Sequence, residues 1–285
     1  MKLLSYITAE GQAAYGAVKG DGVVTLSGRL AAPTLRALLA LPDGLALAAA
    51  LVAARQPDVA LAGLTYAPVI PDPDKIICVG LNYHDHVQET GRTVTANPAL
   101  FARFAGSQIG HGQPLVRPHA SNEFDYEAEL AVIIGKGGRH IPAEAALAHV
   151  AGYSCYNEGS IRDYQRHTSQ FLAGKTFAGT GAFGPWMVTA DEIPDPTALT
   201  LEGRLNGQVV QHTSVGQLIT PIPQLIAYIS TVLPLLPGDV IVSGTPGGVG
   251  AKRTPPLWMK PGDVAEIEVS GIGILRNPVV QEGGT

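Results

Sequence analysis

Residues 123–135 contain the sequence feature that most limits the possible folds. This segment, EFDYEAELAVIIG, alternates polar and apolar residues and then becomes fully apolar. A period of two predicts a β-strand, and the apolar half predicts that the strand enters the protein core. The alternation also places the side chains of Glu127 and Glu129 on one face, opposite those of Tyr126 and Leu130. The sequence therefore predicts a core strand that carries two adjacent carboxylates.

A high content of turn residues indicates the class of fold around this strand. The 285 residues include 34 Gly and 22 Pro, which exceed the usual shares of about 7% and 5%. Such a composition favours many short strands joined by turns, among them a hairpin around Asn206 and Gly207. We therefore expect an α+β fold that is mainly β.

Helices and a domain boundary are expected at a few places. Residues 33–55 are rich in Ala and Leu and predict one or two helices separated near Pro42. An amphipathic helix is predicted to begin just after Thr220. Residues 66–75 are rich in proline, which is typical of a linker. We therefore predict a small N-terminal α+β domain at residues 1–71 and a larger domain at residues 72–285.

Charge and cysteine content exclude several classes of function. The chain has 19 basic and 24 acidic residues, a net charge of −5, which argues against nucleic acid or an anionic membrane as its partner. The longest apolar run, residues 45–54, is shorter than the roughly 20 residues that cross a bilayer. No signal-like stretch develops at the N-terminus, and Cys78 and Cys155 cannot form a disulfide framework. We expect a cytoplasmic metabolic protein.

The carboxylates of Glu127 and Glu129 predict a metal site. Two like charges at about 4 Å repel each other by roughly 4 kcal/mol at an effective dielectric near 20. In a partly buried site a cation resolves this repulsion, and oxygen ligands favour Mg²⁺, Mn²⁺ or Ca²⁺ over zinc. The alternative is that both carboxylates lie on the solvated face of an edge strand.

The segment NYHDHVQE at residues 82–89 offers a general base. His86 and Glu89 are spaced i, i+3, so they meet on one face of a helix. A carboxylate beside an imidazole fixes its tautomer and raises its basicity. Two alternatives remain: His84 and His86 are a metal-binding pair, or the segment is a surface helix with its polar residues outward.

Two further segments carry charged side chains without a clear structural period. Residues 156–171 contain Glu158, Arg162 and Gln165, and Arg162 next to Asp163 is also compatible with a structural ion pair. Lys175 is a single cation among small residues. Its simplest interpretation is a solvated loop lysine.

Two glycine-rich motifs do not support nucleotide binding. GTGAFG at residues 179–184 is followed by Pro185 and Trp186, where a dinucleotide-binding helix would have to begin. GTPGGVG at residues 244–250 lacks the Lys of a phosphate-binding loop, although its N–H groups could hold a substrate carboxylate. The absence of GxSxG and HExxH patterns argues against a serine hydrolase and a zinc peptidase.

Residues 90–112 are interpreted as a lid over a binding site. Regular periodicity fades there between several turn signals, and a long irregular stretch is more often functional than inert. Within and after it, Arg103 and Arg117 are candidates for binding a distal carboxylate of a substrate or for solvating the lid.

Taken together and in this order, seven segments resemble the fumarylacetoacetate hydrolase family. The resemblance covers residues 72–283 through VGLNYHDHVQE, DYEAELAVIIG, GYSCYNEGSIRDYQ, GKTFAGTGAFGPW, RLNGQVVQ, PGDVIVSGTPGGVG and GDVAEIEVSGIGILRNPV. It implies a mixed β-sandwich roll of the type found in the C-terminal domain of that family. It also implies a divalent ion, usually Mg²⁺ or Mn²⁺, held by three carboxylates.

The resemblance assigns roles to particular residues of this chain. Its metal ligands fall on Glu127, Glu129 and Glu158, and the third of these is usually Asp in the family. The extra methylene of Glu158 lengthens the reach of that ligand. The family's catalytic groups fall on His86, Glu89 and Lys175. The expected substrate contacts are Gln165, Arg162, Thr245, Gly244 and Tyr83.

The function that the resemblance implies is the hydrolysis of a C–C bond in a 2,4-dioxo acid of the acylpyruvate or fumarylacetoacetate type. Such an acid chelates the metal, which stabilises an enolate, while His86 activates a water molecule. Decarboxylation of an oxaloacetate-type acid and isomerisation or hydration of a 2-oxo-dienoate use the same chemistry and remain open. A metal-dependent binding protein without catalysis is a further alternative. The family resemblance also implies a homodimer.

Overall fold

Nineteen β-strands and six α-helices form residues 1–284, the part of the chain that this computed structural model describes. The strands are β1 (Lys2–Ile7), β2 (Ala13–Lys19), β3 (Gly22–Thr25), β4 (Val59–Ala60), β5 (Thr65–Tyr66), β6 (Ile76–Gly80), β7 (Ala99–Arg103), β8 (Gln108–Ile109), β9 (Leu115–Arg117), β10 (Phe124–Asp125), β11 (Ala128–Ile134), β12 (Val150–Glu158), β13 (Ser160–Ile161), β14 (Gly181–Thr189), β15 (Thr200–Leu205), β16 (Gln208–Ser214), β17 (Val240–Val242), β18 (Val264–Val269) and β19 (Gly273–Gln281).

The helices are short, as a turn-rich sequence predicts. They are α1 (Leu35–Ala40), α2 (Gly44–Ala53), α3 (His84–Thr90), α4 (Arg162–Gln165), α5 (Leu172–Lys175) and α6 (Ile222–Val232). Six 3₁₀ turns accompany them, at Ala105–Ser107, Ala143–His149, Ala190–Glu192, Pro196–Ala198, Val215–Gln217 and Gly250–Lys252.

Most strands belong to two sheets of mixed direction. The larger sheet has twelve strands, ten of them in the order β4-β3-β2-β1-β14-β12-β11-β17-β6-β7. The smaller sheet has five strands in the order β16-β15-β18-β19-β9. Strands β17 and β6 pair in parallel, whereas β11 and β12 pair antiparallel. The expected α+β, mainly β architecture with mixed sheets is therefore confirmed.

Strand β11 is buried on both faces, because its alternate residues enter two different hydrophobic cores. Leu130 and Val132 pack in the core between the two sheets, together with Ile267 of β18. Ala131 and Ile133 pack in the second core, on the other face of the large sheet. Glu129 has the parity of Ala131 and Ile133, so its side chain belongs to this second face.

The N-terminal residues continue the large sheet. Strand β1 pairs with β14 through Lys2 opposite Val188 and Leu3 opposite Met187. Helices α1 and α2 confirm the two helices that residues 33–55 predict, and the Thr34 side chain caps α1 by accepting the Ala37 N–H. The division of the chain at residue 71 stays a prediction.

The local patterns around residues 206 and 220 are also confirmed. Asn206 and Gly207 both have positive φ in the turn between β15 and β16, as a two-residue hairpin turn requires. Helix α6 begins at Ile222, directly after the predicted Thr220 boundary. The region 90–112 is more ordered than its irregular sequence suggests, because β7 pairs with β6 along five residues. No helix among residues 1–284 is long and apolar enough to span a membrane.

Candidate active site

Pairing of β11 with β12 brings three carboxylates together. Glu129 lies on β11 and Glu158 at the end of β12, where Ala128 is opposite Asn157 in the register. Glu127 precedes β11, and its carbonyl accepts a hydrogen bond from the Glu158 N–H over 2.9 Å. Residues distant in the sequence are thus fixed to each other by backbone hydrogen bonds.

The three carboxylates are buried and converge. Glu127, Glu129 and Glu158 are 3%, 1% and 1% exposed, and one oxygen of each lies within 4.8 Å of the others. A solvated face of an edge strand is therefore wrong for Glu127 and Glu129. The sequence predicted their shared face, and the position of β11 in the middle of the sheet explains their burial.

Lys175 provides a positive charge next to this cluster. Its Nζ contacts the Glu127 carboxylate and lies 3.4 Å from Glu158 Oε2. Because Lys175 is only 2% exposed, the interpretation as a solvated loop lysine is wrong. Burial alone would lower the pKa of Lys175, but the charges of Glu127 and Glu158 outweigh it and raise the pKa. Lys175 therefore stays protonated.

Arg162 is the second cation of the cluster. Its Nε donates to Asp125 Oδ2 over 2.8 Å, and its Nη2 lies 2.7 Å from Glu127 Oε1. Its Nη1 donates to Gln165 Oε1 over 2.9 Å. A structural pair between Arg162 and Asp163 is therefore wrong, because Asp163 instead accepts a hydrogen bond from the Ser121 hydroxyl.

The buried charges shift the pKa values of Glu127 and Glu129 in opposite directions. Burial would raise the pKa of Glu127, but the charges of Lys175 and Arg162 lower it to about 2. Burial and the charges of Glu158 and Glu127 raise the pKa of Glu129 well above its ordinary value. Lys175 and Arg162 thus compensate the negative charge of Glu127, whereas Glu129 is repelled by the negative charges of Glu158 and Glu127.

The donor set fits a hard divalent cation. Four carboxylates (Asp125, Glu127, Glu129 and Glu158) and two cations (Arg162 and Lys175) form the buried cluster, which leaves two negative charges in excess when every acid is ionised. Among residues 1–284, Glu158 Oε1 is buried and has no hydrogen-bond partner. All three converging donors are oxygens, which suits Mg²⁺ or Mn²⁺ better than zinc.

Helix α3 carries an imidazole and a carboxylate in contact. His86 Nδ1 lies 2.7 Å from Glu89 Oε1, at the i, i+3 spacing. The carboxylate accepts the Nδ1–H, so Nε2 keeps the lone pair that a base needs. His86 is 7% exposed, whereas His84 is exposed on the same helix. The structure therefore does not support a metal-binding pair of His84 and His86 or a surface helix with both groups outward.

The glycine-rich segment 244–251 binds the protein's own carboxylates through its backbone. The Gly244 N–H donates to Glu129, and the Gly248 N–H donates to Glu89 Oε2 over 2.9 Å. The N–H groups of Gly250 and Ala251 donate to the two oxygens of Asp125. The anion-binding character that the sequence suggested is present, but these four N–H groups are directed at protein carboxylates.

A cavity of about 460 Å³ opens above the cluster. Most of the predicted site residues line it: His86, Glu127, Glu129, Glu158, Arg162, Gln165, Lys175 and Thr245. Glu89, Gly244 and Tyr83 do not belong to this lining. Glu89 contacts His86 and Gly244 contacts Glu129, whereas the Tyr83 side chain is 1% exposed. Substrate contacts by Gly244 and Tyr83 stay predictions.

Two arginines considered for a distal carboxylate lie elsewhere. Arg103 is 2% exposed and donates to Ser107 Oγ and to the Gly159 carbonyl. Arg117 donates to Gln281 Oε1. Neither lines the cavity, because β7 and β9 direct both side chains into contacts with other parts of the fold.

The cavity also contains residues that the sequence did not reveal. Arg92, Phe101, Phe171 and Lys252 line it, and they come from three separate parts of the chain. Asp125 is a further residue of the site, because it holds both Arg162 and the turn at residues 250–251. Arg92 and Phe101 fall within the lid predicted at residues 90–112, but no local pattern singles out any of these side chains, because only tertiary packing brings them to one place.

Comparison with known proteins identifies related chains over most of this length. The family described as fumarylacetoacetate (FAA) hydrolase C-terminal matches residues 75–280. A mitochondrial oxaloacetate tautomerase of Rattus norvegicus, Fahd2a, is 41% identical over 230 residues, which cover 80% of this chain and 74% of the relative.

Solved structures agree over nearly the whole chain. The 2-hydroxyhepta-2,4-diene-1,7-dioate isomerase of Mycobacterium marinum superposes with a TM-score of 0.76 at 28% identity, covering 100% of both chains. The maleylpyruvate hydrolase of Sphingobium sp. SYK-6, solved with manganese(II) and pyruvate, gives a TM-score of 0.81 at 29% identity, covering 99% of both chains.

Proposed function

Because the chain belongs to the fumarylacetoacetate hydrolase family, we propose that it is a divalent-metal-dependent enzyme that interconverts the keto and enol forms of oxaloacetate. One observation carries this proposal. The His86–Glu89 pair and the three carboxylates contribute to one site, because His86 and all three carboxylates line the same cavity. The similarity to an oxaloacetate tautomerase supports the choice of substrate.

The proton transfer is assigned to His86. In the keto-to-enol direction its Nε2 removes the proton from C3 of the substrate, and in the reverse direction the same atom returns it. Glu89 holds the Nδ1–H over 2.7 Å, which fixes the tautomer and stabilises the imidazolium that forms. In the keto-to-enol direction the enolate oxygen takes up a proton from solvent and the His86 imidazolium releases one to solvent, so the reaction balances without a nucleophile.

Glu127, Glu129 and Glu158 are the proposed ligands of Mg²⁺ or Mn²⁺. A bound divalent ion would supply Lewis-acid stabilisation of the negative charge that develops on the 2-oxo oxygen. Since its pKa is raised, Lys175 acts as a fixed positive charge near that oxygen and not as a proton donor. Arg162, Gln165 and Thr245 line the same cavity and are positioned to hold the substrate carboxylate.

Hydrolysis of a 2,4-dioxo acid is the second candidate. It is supported by the similarity to maleylpyruvate hydrolase and by the same histidine, which would then deprotonate a water molecule that attacks the distal carbonyl. The C3–C4 bond of the substrate would break, and the 2-oxo fragment would leave as an enolate that takes up one proton. Decarboxylation and dienoate isomerisation share that enolate, and the isomerase likeness supports the latter.

The test of the first candidate follows the ultraviolet absorbance of enol-oxaloacetate after it is mixed with Mg²⁺- or Mn²⁺-loaded protein. We expect a faster approach to the keto–enol equilibrium, which EDTA abolishes and added metal restores. His86→Gln should lose this activity, and His84→Gln, an exposed histidine on the same helix, should retain it. Unchanged tautomerisation by His86→Gln would overturn the role of His86.

A parallel assay separates the second candidate from the first. Acetylpyruvate is incubated with the same metal-loaded protein, and pyruvate and acetate are measured as products. Their formation at a rate exceeding that of oxaloacetate tautomerisation would make hydrolysis the main activity. If the protein accelerates tautomerisation but releases neither product, hydrolysis is excluded for this substrate.

The assembly is proposed from the family resemblance, and the location from the composition and cysteine content of the sequence. We propose a homodimer, which light scattering of the purified protein tests directly. We also propose a cytoplasmic location, although the rat relative is named as mitochondrial. Fluorescence microscopy of the tagged full-length protein in its own cells distinguishes the two locations.

A further inference from the structure

Five positively charged side chains line the cavity, and their partners divide them into two groups. Arg162 and Lys175 are paired with the buried carboxylates, and Arg166 is paired with Glu123. Among residues 1–284, Arg92 and Lys252 have no acidic group within 4.0 Å. Both are exposed residues of the cavity rim. Two positive charges at the mouth are therefore available to a ligand.

The backbone at Arg92 is held in place by the end of α3. Gly91 adopts a left-handed conformation with φ of 68°, and the Arg92 N–H donates to the Val87 carbonyl over 3.2 Å. This pattern of a left-handed glycine and a six-residue hydrogen-bonded closure fixes the chain as it leaves a helix. Arg92 is thus attached to the helix that carries His86 and Glu89.

The Arg92 side chain packs against an aromatic wall, formed by Phe171 and Phe101, that extends towards the buried cluster. Its Cζ is 5.3 Å from the centre of the Phe171 ring, and Phe171 meets Phe101 edge to face at 5.6 Å. Lys175 Nζ lies 5.2 Å from the centre of the Phe101 ring. The wall therefore connects the cation of the inner cluster to the cation at the rim.

The backbone at Lys252 is held in place by the 3₁₀ turn that it ends. In the turn Gly250–Lys252, the N–H groups of Gly250 and Ala251 donate to Asp125 over 2.8 and 2.9 Å. Asp125 also holds Arg162. Lys252 is therefore anchored to the buried charge cluster, while its own side chain is exposed at the mouth of the cavity.

From this arrangement we propose that Lys252 and Arg92 form a subsite for a second carboxylate, at the end of the substrate distant from the 2-oxo acid group. The inner cations contact Glu127, Glu158 and Asp125 and lie where the 2-oxo acid group is proposed to bind. The cations of the cavity lining that remain for a second anionic group, apart from Arg166, are those of the rim. This inference rests on the proposed function, because it takes the 2-oxo acid group to lie at the carboxylate cluster.

The experiment compares two open-chain 2-oxo acids with and without a distal charge, 2-oxoglutarate and its 5-methyl ester. Binding of each to Mn²⁺-loaded protein is measured by calorimetry. We expect 2-oxoglutarate to bind about tenfold more tightly, the difference that one charge-assisted hydrogen bond makes. Lys252→Met and Arg92→Met should each reduce this ratio by weakening only 2-oxoglutarate, and the double variant should abolish it.

Lys260→Met is the matched control, because Lys260 is exposed and does not line the cavity; it should keep the wild-type ratio. A preference for the diacid that survives in the double variant overturns the subsite, as does equal weakening of both ligands. If the protein shows this preference but does not accelerate oxaloacetate tautomerisation, the result supports the subsite and contradicts the proposed reaction. If neither 2-oxo acid binds, both proposals fail.

Discussion

Gly248 donates its backbone N–H to Oε2 of Glu89 over 2.9 Å, although the two residues are 159 positions apart. The other oxygen of Glu89 faces His86 Nδ1, so the hydrogen bond holds the carboxylate in the orientation that the imidazole needs. The same glycine-rich segment holds Glu129 through Gly244. One segment of backbone therefore positions both the proposed general base and a proposed metal ligand.

Glu89→Gln is expected to lower kcat by about 100-fold, the lower range for general acid–base catalysis. The amide no longer stabilises the imidazolium and can present its NH₂ group to His86 Nδ1, which favours the wrong tautomer. Mn²⁺ affinity should not change, because Glu89 is not one of the converging carboxylates. Kinetics and a Mn²⁺ titration on the same preparation check both statements. A kcat within about twofold of wild type would contradict the assignment.

Gly248→Ala is expected to lower kcat more than its loss of stability explains. Gly248 has a φ of 102°, and an added Cβ would lie 2.3 Å from the Val210 carbonyl oxygen. The loop therefore has to shift, which disturbs the hydrogen bond from the Gly248 N–H to Glu89. Gly262→Ala is the matched control, with a φ of 95° and no atom within 4 Å of the added Cβ. Both variants should lose about 1–2 kcal/mol in the free energy of unfolding, which is measured by denaturant unfolding. Equal kcat values for the two variants would exclude the positioning role of Gly248.

Glu129→Gln should weaken metal binding and stabilise the metal-free protein. Burial and the charges of Glu158 and Glu127 raise the pKa of Glu129, so its ionised form destabilises the metal-free fold at neutral pH. We expect a gain of about 1 kcal/mol in the free energy of unfolding at neutral pH. The gain should diminish as the pH falls below the raised pKa of folded Glu129, and it should vanish only below the ordinary glutamate pKa of about 4.3, where the unfolded chain is protonated as well.

Denaturant unfolding of EDTA-treated protein at neutral and mildly acid pH measures this effect. Mn²⁺ affinity should fall by more than the roughly 10–100-fold that outer-sphere substitutions cost. Glu123→Gln serves as the control, since Glu123 pairs with the exposed Arg166 and not with the cluster. A Glu129→Gln protein with wild-type Mn²⁺ affinity would remove Glu129 from the proposed ligands.

Asp125→Asn and Asp239→Asn form a matched pair of buried substitutions. Both aspartates are fully buried and paired with a cation, Asp125 with Arg162 and Asp239 with Lys75. Each variant removes one of the two carboxylates that its cation contacts, since Arg162 keeps Glu127 and Lys75 keeps Asp74. Each also weakens buried hydrogen bonds from backbone N–H groups, so we expect a loss of about 1–3 kcal/mol of stability. Only Asp125→Asn should also raise KM, since Asp125 holds Arg162 and the turn before Lys252. A similar rise in KM for both variants would show that instability alone is responsible.

The sequence predicted the direction of the carboxylates but not their surroundings. Strand alternation was enough to place Glu127 and Glu129 on one face. Their burial depends on β12 and β17 lying on either side of β11, and long-range pairing of this kind leaves no local pattern. The family resemblance was needed to add Glu158, which reaches the site through the register of β12.

One local pair was predicted wrongly, although the i, i+3 pair of His86 and Glu89 was found. Arg162 and Asp163 are adjacent in the sequence, yet consecutive side chains of α4 do not face each other. Arg162 instead contacts carboxylates that lie 37 and 35 positions away in the chain. Strand β7 was not predicted, because its residues, ALFAR, lie within a region of turn signals. Its pairing with β6 orders this segment.

The proposed metal ligands on β11 and β12 stand in the middle of the twelve-stranded sheet, whereas residues 91–97 and 166–170 at the cavity rim are exposed. Amide hydrogens of the two central strands should therefore exchange with solvent only when the whole sheet opens, and those of the rim by local fluctuation. We therefore expect substitutions at the exposed rim to leave the folding of the two central strands undisturbed. Proteins that evolve from this chain can for that reason change their substrate through substitutions at the rim, while the carboxylates on the two central strands and their chemistry stay the same.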